Sequence, residues 1–112
     1  MANPSKRKGT KFESEVCAYL VARGLDCERR ALTGTQDRGD VAGIPGWVLE
    51  LKNQNSSNWA EWMDETERER RNDHADFGLL VVRRRLKSIE QAYAVLPLKQ
   101  AVSIILDDIE CR

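Results

Sequence analysis

Two carboxylates and one lysine near the middle of the chain have the types and the spacing that phosphoryl chemistry requires. Nine residues separate Asp40 from Glu50, and Lys52 follows Glu50 by two positions. Paired carboxylates offer hard oxygen ligands to Mg²⁺, and the ion can activate a water and neutralise charge on a phosphoryl group. A nearby ammonium can orient that water and stabilise charge at phosphorus. The alternative interpretation is a surface hairpin on which the Glu50 and Lys52 charges are solvated.

A β-hairpin would bring these three side chains together, and the sequence predicts one. Residues 44–46, Ile-Pro-Gly, are typical of a turn. Residues 47–52 alternate between apolar side chains on one face and a second set, which includes Glu50 and Lys52, on the other. The hairpin would place Asp40, at the start of its first arm, close to Glu50 and Lys52 at the end of its second arm.

Two segments of the chain resemble known nuclease motifs. The series Gly-Asp, nine residues, Glu-Leu-Lys resembles the signature of the PD-(D/E)XK nucleases, with Asp40, Glu50 and Lys52 as the motif residues and Gly39 in the place of the proline. Residues 8–15, Lys-Gly-Thr-Lys-Phe-Glu-Ser-Glu, resemble the first helix of the archaeal-type and phage Holliday junction resolvases. This resemblance implies a restriction-endonuclease-like core and metal-dependent hydrolysis of DNA.

The resemblance also implies a role for each residue of the site. Asp40 and Glu50 would bind Mg²⁺, for which Mn²⁺ would substitute, together with the backbone carbonyl of Leu51. Glu13 stands at the position of the catalytic glutamate of the resolvase helix and would bind the ion directly or through water. Lys52 would position the attacking water.

Two of these assignments have an alternative that rests on the residues alone. Glu13 follows Thr10, a candidate N-cap, by three positions, so the two residues could form a capping box instead. Asp37 competes with Asp40 for the place of the first carboxylate, although it lies in a loop and lacks the following strand.

Basic segments at 6–11, 29–38 and 83–87 flank the expected site and would hold DNA through its phosphates. The resolvase resemblance implies an arginine-bearing strand and then a hydroxyl-rich loop before the first carboxylate. The residues expected to contact DNA are Lys8, Lys11, Arg29, Arg30, Thr33, Thr35 and Arg38. For any one of them, an ordinary solvated surface position is the alternative.

The wider pattern predicts an α/β domain with a mixed central β-sheet flanked by helices, in the order α-β-β-β-α-β-β-α. The expected elements after a flexible basic arm at 1–8 are a helix at 10–23, a strand within 25–32, the two hairpin arms, a helix at 58–71, strands at 77–82 and 92–96, and a helix opening at Pro97. A helical crossover between the hairpin and 77–82 would allow those strands to pair in parallel.

Each of the two later helices has an apolar stripe. The stripe of 58–71 consists of Trp59, Trp62, Met63 and Thr66. It is expected to pack on the sheet, with a dimer interface or a DNA-facing surface as alternatives. The acidic residues of this helix are expected to form a solvated face: Glu61, Asp64, Glu65, Glu67 and Glu69. The inner face of the last helix is expected to comprise Leu98, Ala101, Val102 and Ile105.

Length and composition bound the class of protein. The 112 residues suffice for one domain, 1–112, but not for a second. No apolar run approaches the ~18 residues of a membrane span, and there is no signal-peptide pattern. The three cysteines are an odd number without Cys-x-x-Cys spacing. We therefore expect a protein of the reducing cytoplasm, in a bacterium or a phage-infected cell, that is not secreted.

The charge is unevenly distributed along the chain. A formal net charge of zero argues by itself against a nucleic-acid binder. However, residues 57–76 have seven acidic and three basic residues, whereas residues 77–99 have five basic residues and one acidic residue. A basic face could hold phosphates while the rest of the surface stays acidic. A mixed surface that is merely soluble is the alternative.

Together these patterns predict a Mg²⁺-dependent endonuclease for branched DNA, most similar to a Holliday junction resolvase. Such an enzyme would act in recombination as a homodimer, because a four-way junction requires two symmetric nicks. Within the nucleases, the alternative is a nicking or restriction-like PD-(D/E)XK endonuclease of a phage or bacterium. In a different class, the alternative is a non-catalytic module that binds DNA or a partner on the same fold.

Overall fold

The computed structural model describes residues 4–30 and 37–112, with side chains from residue 9 onward. These residues form an α/β fold whose element order agrees with the expected order, apart from one additional 3₁₀ turn. The helices are α1 (Pro4–Ala22), α2 (Trp59–Asn72) and α3 (Leu98–Glu110); the strands are β1 (Glu28–Arg29), β2 (Val41–Ala42), β3 (Trp47–Lys52), β4 (Phe77–Val82) and β5 (Tyr93–Val95); the 3₁₀ turn is Ile89–Gln91. Among these helices, none is long and apolar enough to cross a membrane.

The first helix begins earlier than the sequence predicts. It starts at Pro4, and a proline suits the first turn because its missing N–H would have no partner within the helix. Thr10 is therefore inside the helix rather than at its N-cap, so the capping box that was the alternative role for Glu13 does not form. Residues 4–8 of the expected N-terminal arm belong to the helix, while residues 1–3 are outside the described part of the chain.

Three strands form a mixed sheet in the order β3-β4-β5. β3 pairs with β4 in parallel, and β5 pairs with β4 antiparallel. The parallel pair requires a crossover connection, which α2 provides, so the expected pairing is confirmed. The register places Leu49 opposite Leu79 and Glu50 opposite Leu80.

The first two strands of the expected order are short in the described residues. Of the strand expected within 25–32, the described residues form β1, which pairs antiparallel with β2, and residues 31–32 are outside the described part. The turn leading into β3 forms as expected, with the N–H of Trp47 donating to the carbonyl of Ile44 at 3.1 Å. In the described ranges, β1 and β2 make a sheet of their own. A hydrogen bond from Asp40 N to Leu49 O, of 2.8 Å, joins this pair to β3.

Two helices cover opposite faces of the three-stranded sheet. The core between α1 and the first face has the buried residues Phe12, Val16, Cys17, Val41, Leu49, Leu51 and Val81. The core between α2 and the second face has the buried residues Trp62, Leu80 and Val82, with Trp59 and Met63 packed against it. The expected packing of the α2 stripe on the sheet is thus confirmed. Because alternate residues of a strand point to opposite faces, Glu50 and Lys52 lie beneath α2.

The last helix does not bury the face that its pattern predicts. Three residues of that face are exposed: Leu98 (78%), Val102 (42%) and Ile105 (54%). The buried residue is Gln100, which accepts a hydrogen bond from the N–H of Gly78 at 2.8 Å and donates one to Glu67 at 2.9 Å. At about 100° per residue, Gln100 lies on the opposite side of α3 from the expected face. Anchoring through Gln100 therefore turns the apolar face outward.

Candidate metal centre

A glycine with an unusual backbone conformation delivers Asp40 to the edge of β3. Gly39 has φ +95°, which a proline ring cannot adopt, and an added Cβ would lie 2.7 Å from Val48 Cγ1. The N–H of Asp40 donates to Leu49 O, and Asp40 Oδ2 accepts a hydrogen bond from Leu51 N, each at 2.8 Å. These contacts fix the Asp40 carboxylate beside β3. The positive φ of Gly39 and its close approach to Val48 require glycine at this position.

The other two motif residues project from β3 towards α2. Glu50 is 4% exposed, and its Oε2 has no hydrogen-bond partner among residues 4–30 and 37–112. Lys52 is half-buried, with its Nζ 3.2 Å from Glu65 Oε2 and 5.9 Å from the centroid of the Trp62 ring. The alternative of a hairpin with solvated charges is wrong, because α2 covers both side chains.

Glu13 faces the same site from α1. Its Oε2 accepts hydrogen bonds from Nε and Nη2 of Arg29, both of 3.2 Å. Burial raises the pKa of Glu13 above its ordinary value and the negative charge of Asp40 raises it further, whereas Arg29 acts in the opposite direction. Glu13 and Asp40 therefore lie within electrostatic reach of each other.

A single cleft of about 610 Å³ brings the expected catalytic residues together. Its lining includes Glu13, Asp40, Glu50, Leu51 and Lys52, and in addition Gly9, Asp37, Asn53, Gln54, Asn55 and Glu65. The N–H and C=O of one strand residue point to the same edge of the strand. Because the N–H of Leu51 bonds to Asp40, the Leu51 carbonyl also faces the Asp40 edge.

Two glutamates of α2 also belong to the site, although the sequence analysis assigned them to a solvated face. That assignment is wrong: Glu69 is 1% exposed, and Glu65 forms the ion pair with Lys52. The signal that could have found Glu69 is its spacing, because it follows the buried Trp62 by seven residues and Thr66 by three. Helical periodicity places all three on the inner stripe of α2.

Four carboxylates from three parts of the chain converge beside α2. Asp37, Glu50, Glu65 and Glu69 each place one carboxylate oxygen within 4.8 Å of the others. Both oxygens of Glu69 and Oε2 of Glu50 are buried without a hydrogen-bond partner in the described part of the chain. Buried charges in folded proteins are paired or coordinate metals, and a set of oxygen donors suits Mg²⁺, Mn²⁺ or Ca²⁺. This group could hold a metal ion. It therefore supports the expectation of a cation site in this protein, without identifying the ion.

Crowding and burial raise the pKa values of the inner carboxylates. Burial is the main cause for Glu50, followed by its contacts with Asp40 and Glu69. The pKa of Glu69 is raised from 4.5 to about 7, chiefly by burial, while the charges of Asp37 and Glu65 act in the same direction. Without a bound cation, burial and crowding therefore favour the protonated forms of Glu50 and Glu69.

The three arginines expected to contact DNA lie near the cleft and pair with carboxylates of the chain itself. Arg29 bonds to Glu13, as described above. Arg30 Nη2 and Arg38 Nη1 are each 3.8 Å from an oxygen of Asp73. Arg29 and Arg38 keep 43% and 47% of their side chains exposed, which leaves them accessible to phosphates.

The other residues expected to contact DNA are described less completely. The Nζ of Lys11 is 3.8 Å from Glu15, and 75% of the Lys11 side chain is exposed. Lys8 is part of α1, but its side chain is outside the described part of the chain. Thr33 and Thr35 lie within residues 31–36, which are outside the described part as well.

A basic and aromatic groove of about 350 Å³ adjoins the cleft. Its lining consists of Gln54, Asn55, Ser56, Ser57, Trp59, Val82, Arg83, Arg84, Arg85 and Tyr93. The Arg84 guanidinium lies 4.6 Å from the centroid of the Tyr93 ring, which is 5.8 Å from the centroid of Trp59. Gln54 and Asn55 line both spaces, so the groove is continuous with the carboxylate cleft.

The fold and the site together define an α/β protein with a carboxylate-lined cleft and a lysine held beside it. Comparisons with family models, with curated protein sequences and with solved structures find no match for the chain. A function is therefore argued from the site itself.

Proposed function

We propose that the chain is a Mg²⁺-dependent DNA endonuclease of the PD-(D/E)XK type, most similar in activity to the Holliday junction resolvases. The observation that carries the proposal is that Glu13, Asp40, Glu50 and Lys52 line one cleft. The sequence pattern of β3 brings Glu50 near Lys52, but nothing in its local spacing forces Glu13 of α1 to join them. The meeting of both resolvase-like segments at one place supports the assignment.

Each residue has a role that its position allows. Asp40 and Glu50 would hold the cation, with the Leu51 carbonyl on the Asp40 edge of β3 and Glu13 binding directly or through water. When bound, Mg²⁺ supplies an activated water and neutralises charge at the phosphoryl group. Lys52 would orient that water and stabilise the charge that develops at phosphorus.

The basic and aromatic groove supports DNA as the substrate class. Arg83, Arg84 and Arg85 would contact phosphates, and the rings of Trp59 and Tyr93 offer surfaces on which bases can stack. Because this groove continues into the carboxylate cleft, a strand lying along it would enter the site. Contacts with phosphates and base faces recognise shape rather than sequence, which suits a branched substrate.

The outward face of α3 supports a homodimer. Five of its large apolar residues are exposed by 42–78%: Leu98, Val102, Ile105, Leu106 and Ile109. A contiguous exposed apolar face marks an interaction site. The helix has Lys99 near its start and Asp107, Asp108 and Glu110 near its end. Antiparallel pairing of two copies would place these opposite charges together, and a two-fold dimer would supply the two nicks.

The proposal is tested by cleavage of a synthetic four-way junction and a linear duplex of matched sequence, in Mg²⁺ or in EDTA. The wild type should nick two opposite strands of the junction in Mg²⁺ and neither substrate in EDTA. Glu50→Gln should reduce the single-turnover rate on the order of 10²–10³-fold, because a cation ligand is lost. The matched control is Glu61→Gln, an exposed position of α2, which should cleave as the wild type does.

The other outcomes decide between the alternatives. Equal cleavage of junction and duplex would assign a nicking or restriction-like nuclease. Junction binding in a gel-shift assay without any cleavage would assign a non-catalytic module. Cleavage that survives EDTA, or that Glu50→Gln leaves unchanged, would refute the metal-dependent site.

A further inference from the structure

The carboxylates beside α2 are more than the proposed nuclease site requires. The expected ligands, Asp40, Glu13 and the Leu51 carbonyl, approach Glu50 from the β2 edge of β3 and from α1. In the converging group, Glu65 and Glu69 approach Glu50 from α2, and Asp37 joins them from the loop that precedes Asp40. Only Glu50 belongs to both sets.

The geometry of α2 fixes the direction of its two glutamates. Glu65 and Glu69 are four residues apart on a helix, so their side chains project from the same face. That face covers the side of β3 from which Glu50 projects. Each of the four residues Asp37, Glu50, Glu65 and Glu69 offers an oxygen within 4.8 Å of the others.

Three buried oxygens of this group, on Glu50 and Glu69, have no donor among the residues that the structure describes. Glu69 is 1% exposed and neither of its carboxylate oxygens has a hydrogen-bond partner among the described residues. Glu50 is 4% exposed, and its Oε2 is also without a partner. The cationic side chain nearest the group, Lys52, is bonded to Glu65 rather than to Glu69. A buried carboxylate without donors is destabilising unless a cation or a bound proton compensates its charge.

We propose that Glu50, Glu65, Glu69 and Asp37 form a second divalent-cation site, with the Glu50 carboxylate shared between this site and the one at Asp40. The inference rests on the proposed function only for the cation at Asp40, since the second site is argued from the carboxylates beside α2. With oxygen donors alone, the site would take Mg²⁺ or Mn²⁺ in preference to metals that favour nitrogen or sulfur ligands.

Occupation of this site has a consequence for Lys52. In the structure, its Nζ donates to both oxygens of Glu65, at 3.5 and 3.2 Å. If Glu65 turns its carboxylate to the cation, Lys52 loses this partner while keeping its place in the cleft. Binding of the second cation would thereby release the lysine that the proposed nuclease uses.

The test is a calorimetric titration of the metal-free protein with Mn²⁺ in the absence of DNA. The wild type should bind two ions. Glu69→Gln should bind one, because only the second site loses a ligand, and Asp40→Asn should also bind one. Glu65→Gln, at a half-buried position that tolerates the change, should weaken the second site about tenfold or more. Glu61→Gln on the exposed face of the same helix is the control and should bind two ions.

A second readout follows the lysine. The rate at which Lys52 is reductively methylated, measured by mass spectrometry, should rise several-fold when Mn²⁺ is added to the wild type. In Glu65→Gln the rate should be high without Mn²⁺, because the partner is already absent. A rate that Mn²⁺ leaves unchanged in the wild type would refute the release of Lys52.

The outcomes separate this inference from the proposed function. Binding of a single ion that Asp40→Asn removes and Glu69→Gln leaves unchanged would refute the second site, whether or not the protein cleaves DNA. Two ions in the wild type and one in Glu69→Gln would establish the second site, even if no junction were cut. A far-ultraviolet circular dichroism spectrum identical to that of the wild type shows that each variant is folded.

Discussion

The two faces of β3 bury different kinds of side chain. On the α1 face, Leu49 and Leu51 join an entirely apolar cluster with Phe12 at its centre. On the α2 face, the apolar residues Trp62 and Leu80 occupy only one part. The remainder is formed by carboxylates, including the two least exposed ones in the described chain, Glu50 and Glu69.

This difference separates stability from chemistry within one strand. Apolar burial on the α1 face stabilises the fold at roughly 25 cal/mol per Å² removed from water. Burial of carboxylates on the α2 face opposes folding until a cation or a proton compensates it. Both faces belong to the same strand. The burial of Leu49 and Leu51 on the α1 face therefore keeps Glu50 buried on the α2 face, although burial of its carboxylate is unfavourable.

The largest effect is expected from the α1 face. Phe12 is 1% exposed, so Phe12→Ala should lower the free energy of unfolding by about 3–5 kcal/mol, from the lost burial and the cavity left behind. Urea unfolding measures this loss. Val21→Ala, on the same helix at a residue 52% exposed, is the control and should change the stability by no more than about 0.5 kcal/mol. Similar values for the two variants would contradict the apolar face as the main source of stability.

On the α2 face, a substitution is expected to raise the free energy of unfolding rather than lower it. In EDTA, Glu69→Gln should raise the free energy of unfolding by about 1–3 kcal/mol, because a neutral amide removes the buried charge and can donate to Glu50. In saturating Mn²⁺ the order should reverse, since the wild type gains binding energy that the variant lacks. Thermal unfolding under both conditions measures the two differences. A loss of stability in EDTA would show that the carboxylate stabilises the cation-free fold.

The pH dependence should distinguish the faces as well. The pKa of Glu69 is about 7 in the folded chain against 4.5 for an ordinary glutamate, so between these values the folded state binds the additional proton. In EDTA the stability should therefore fall as pH rises from about 4.5 through 7, and Tm should drop by several degrees. Glu69→Gln should reduce the slope of this profile, to which the raised pKa of Glu50 still contributes, whereas Phe12→Ala should shift the profile without changing its shape. An unchanged slope in Glu69→Gln would assign the effect to other groups.

The smallest effect is expected from a polar residue of the α2 face that has its own partner. Thr66 is completely buried, and its hydroxyl donates to the carbonyl of Trp62 at 2.8 Å. The Trp62 carbonyl is also the acceptor of a backbone hydrogen bond of α2, so it keeps a partner when the hydroxyl is removed. Thr66→Val should therefore change the free energy of unfolding by less than about 1 kcal/mol. The response to Mn²⁺ should stay that of the wild type. A large change would mean that burial of any polar group, and not of the carboxylates in particular, distinguishes this face.

The sequence predicts the helices and strands in which apolar residues recur with a clear periodicity. It does not predict which charged residues are buried. β4 is found at its expected bounds, and the α2 stripe packs on the sheet, because apolar periodicity is a direct record of burial. Glu69 lies on the same helical stripe as Trp62, but its charge predicts a position exposed to solvent. Local sequence does not contain the partners that make burial of a carboxylate tolerable, since Asp37 and Glu50 lie in other elements.

The same limit explains the error in α3. Its pattern predicts an apolar stripe correctly, but periodicity does not say what covers the stripe. The hydrogen bonds of Gln100 to Gly78 in β4 and to Glu67 in α2 determine which face of α3 packs against the rest of the protein. A glutamine anchor of this kind depends on a tertiary contact that no local pattern predicts.

The four converging carboxylates are distributed over the chain from residue 37 to residue 69, on a loop, a strand and the crossover helix. An extended chain cannot bring them together, so cations would bind the folded state alone and stabilise it by mass action, by about 2.7 kcal/mol at a concentration 100 times the dissociation constant. The amides of α2 would then exchange their hydrogens more slowly as the ion concentration rises. The abundance of free divalent cations in the cell would set how often this helix opens, and with it how long the protein survives proteolysis.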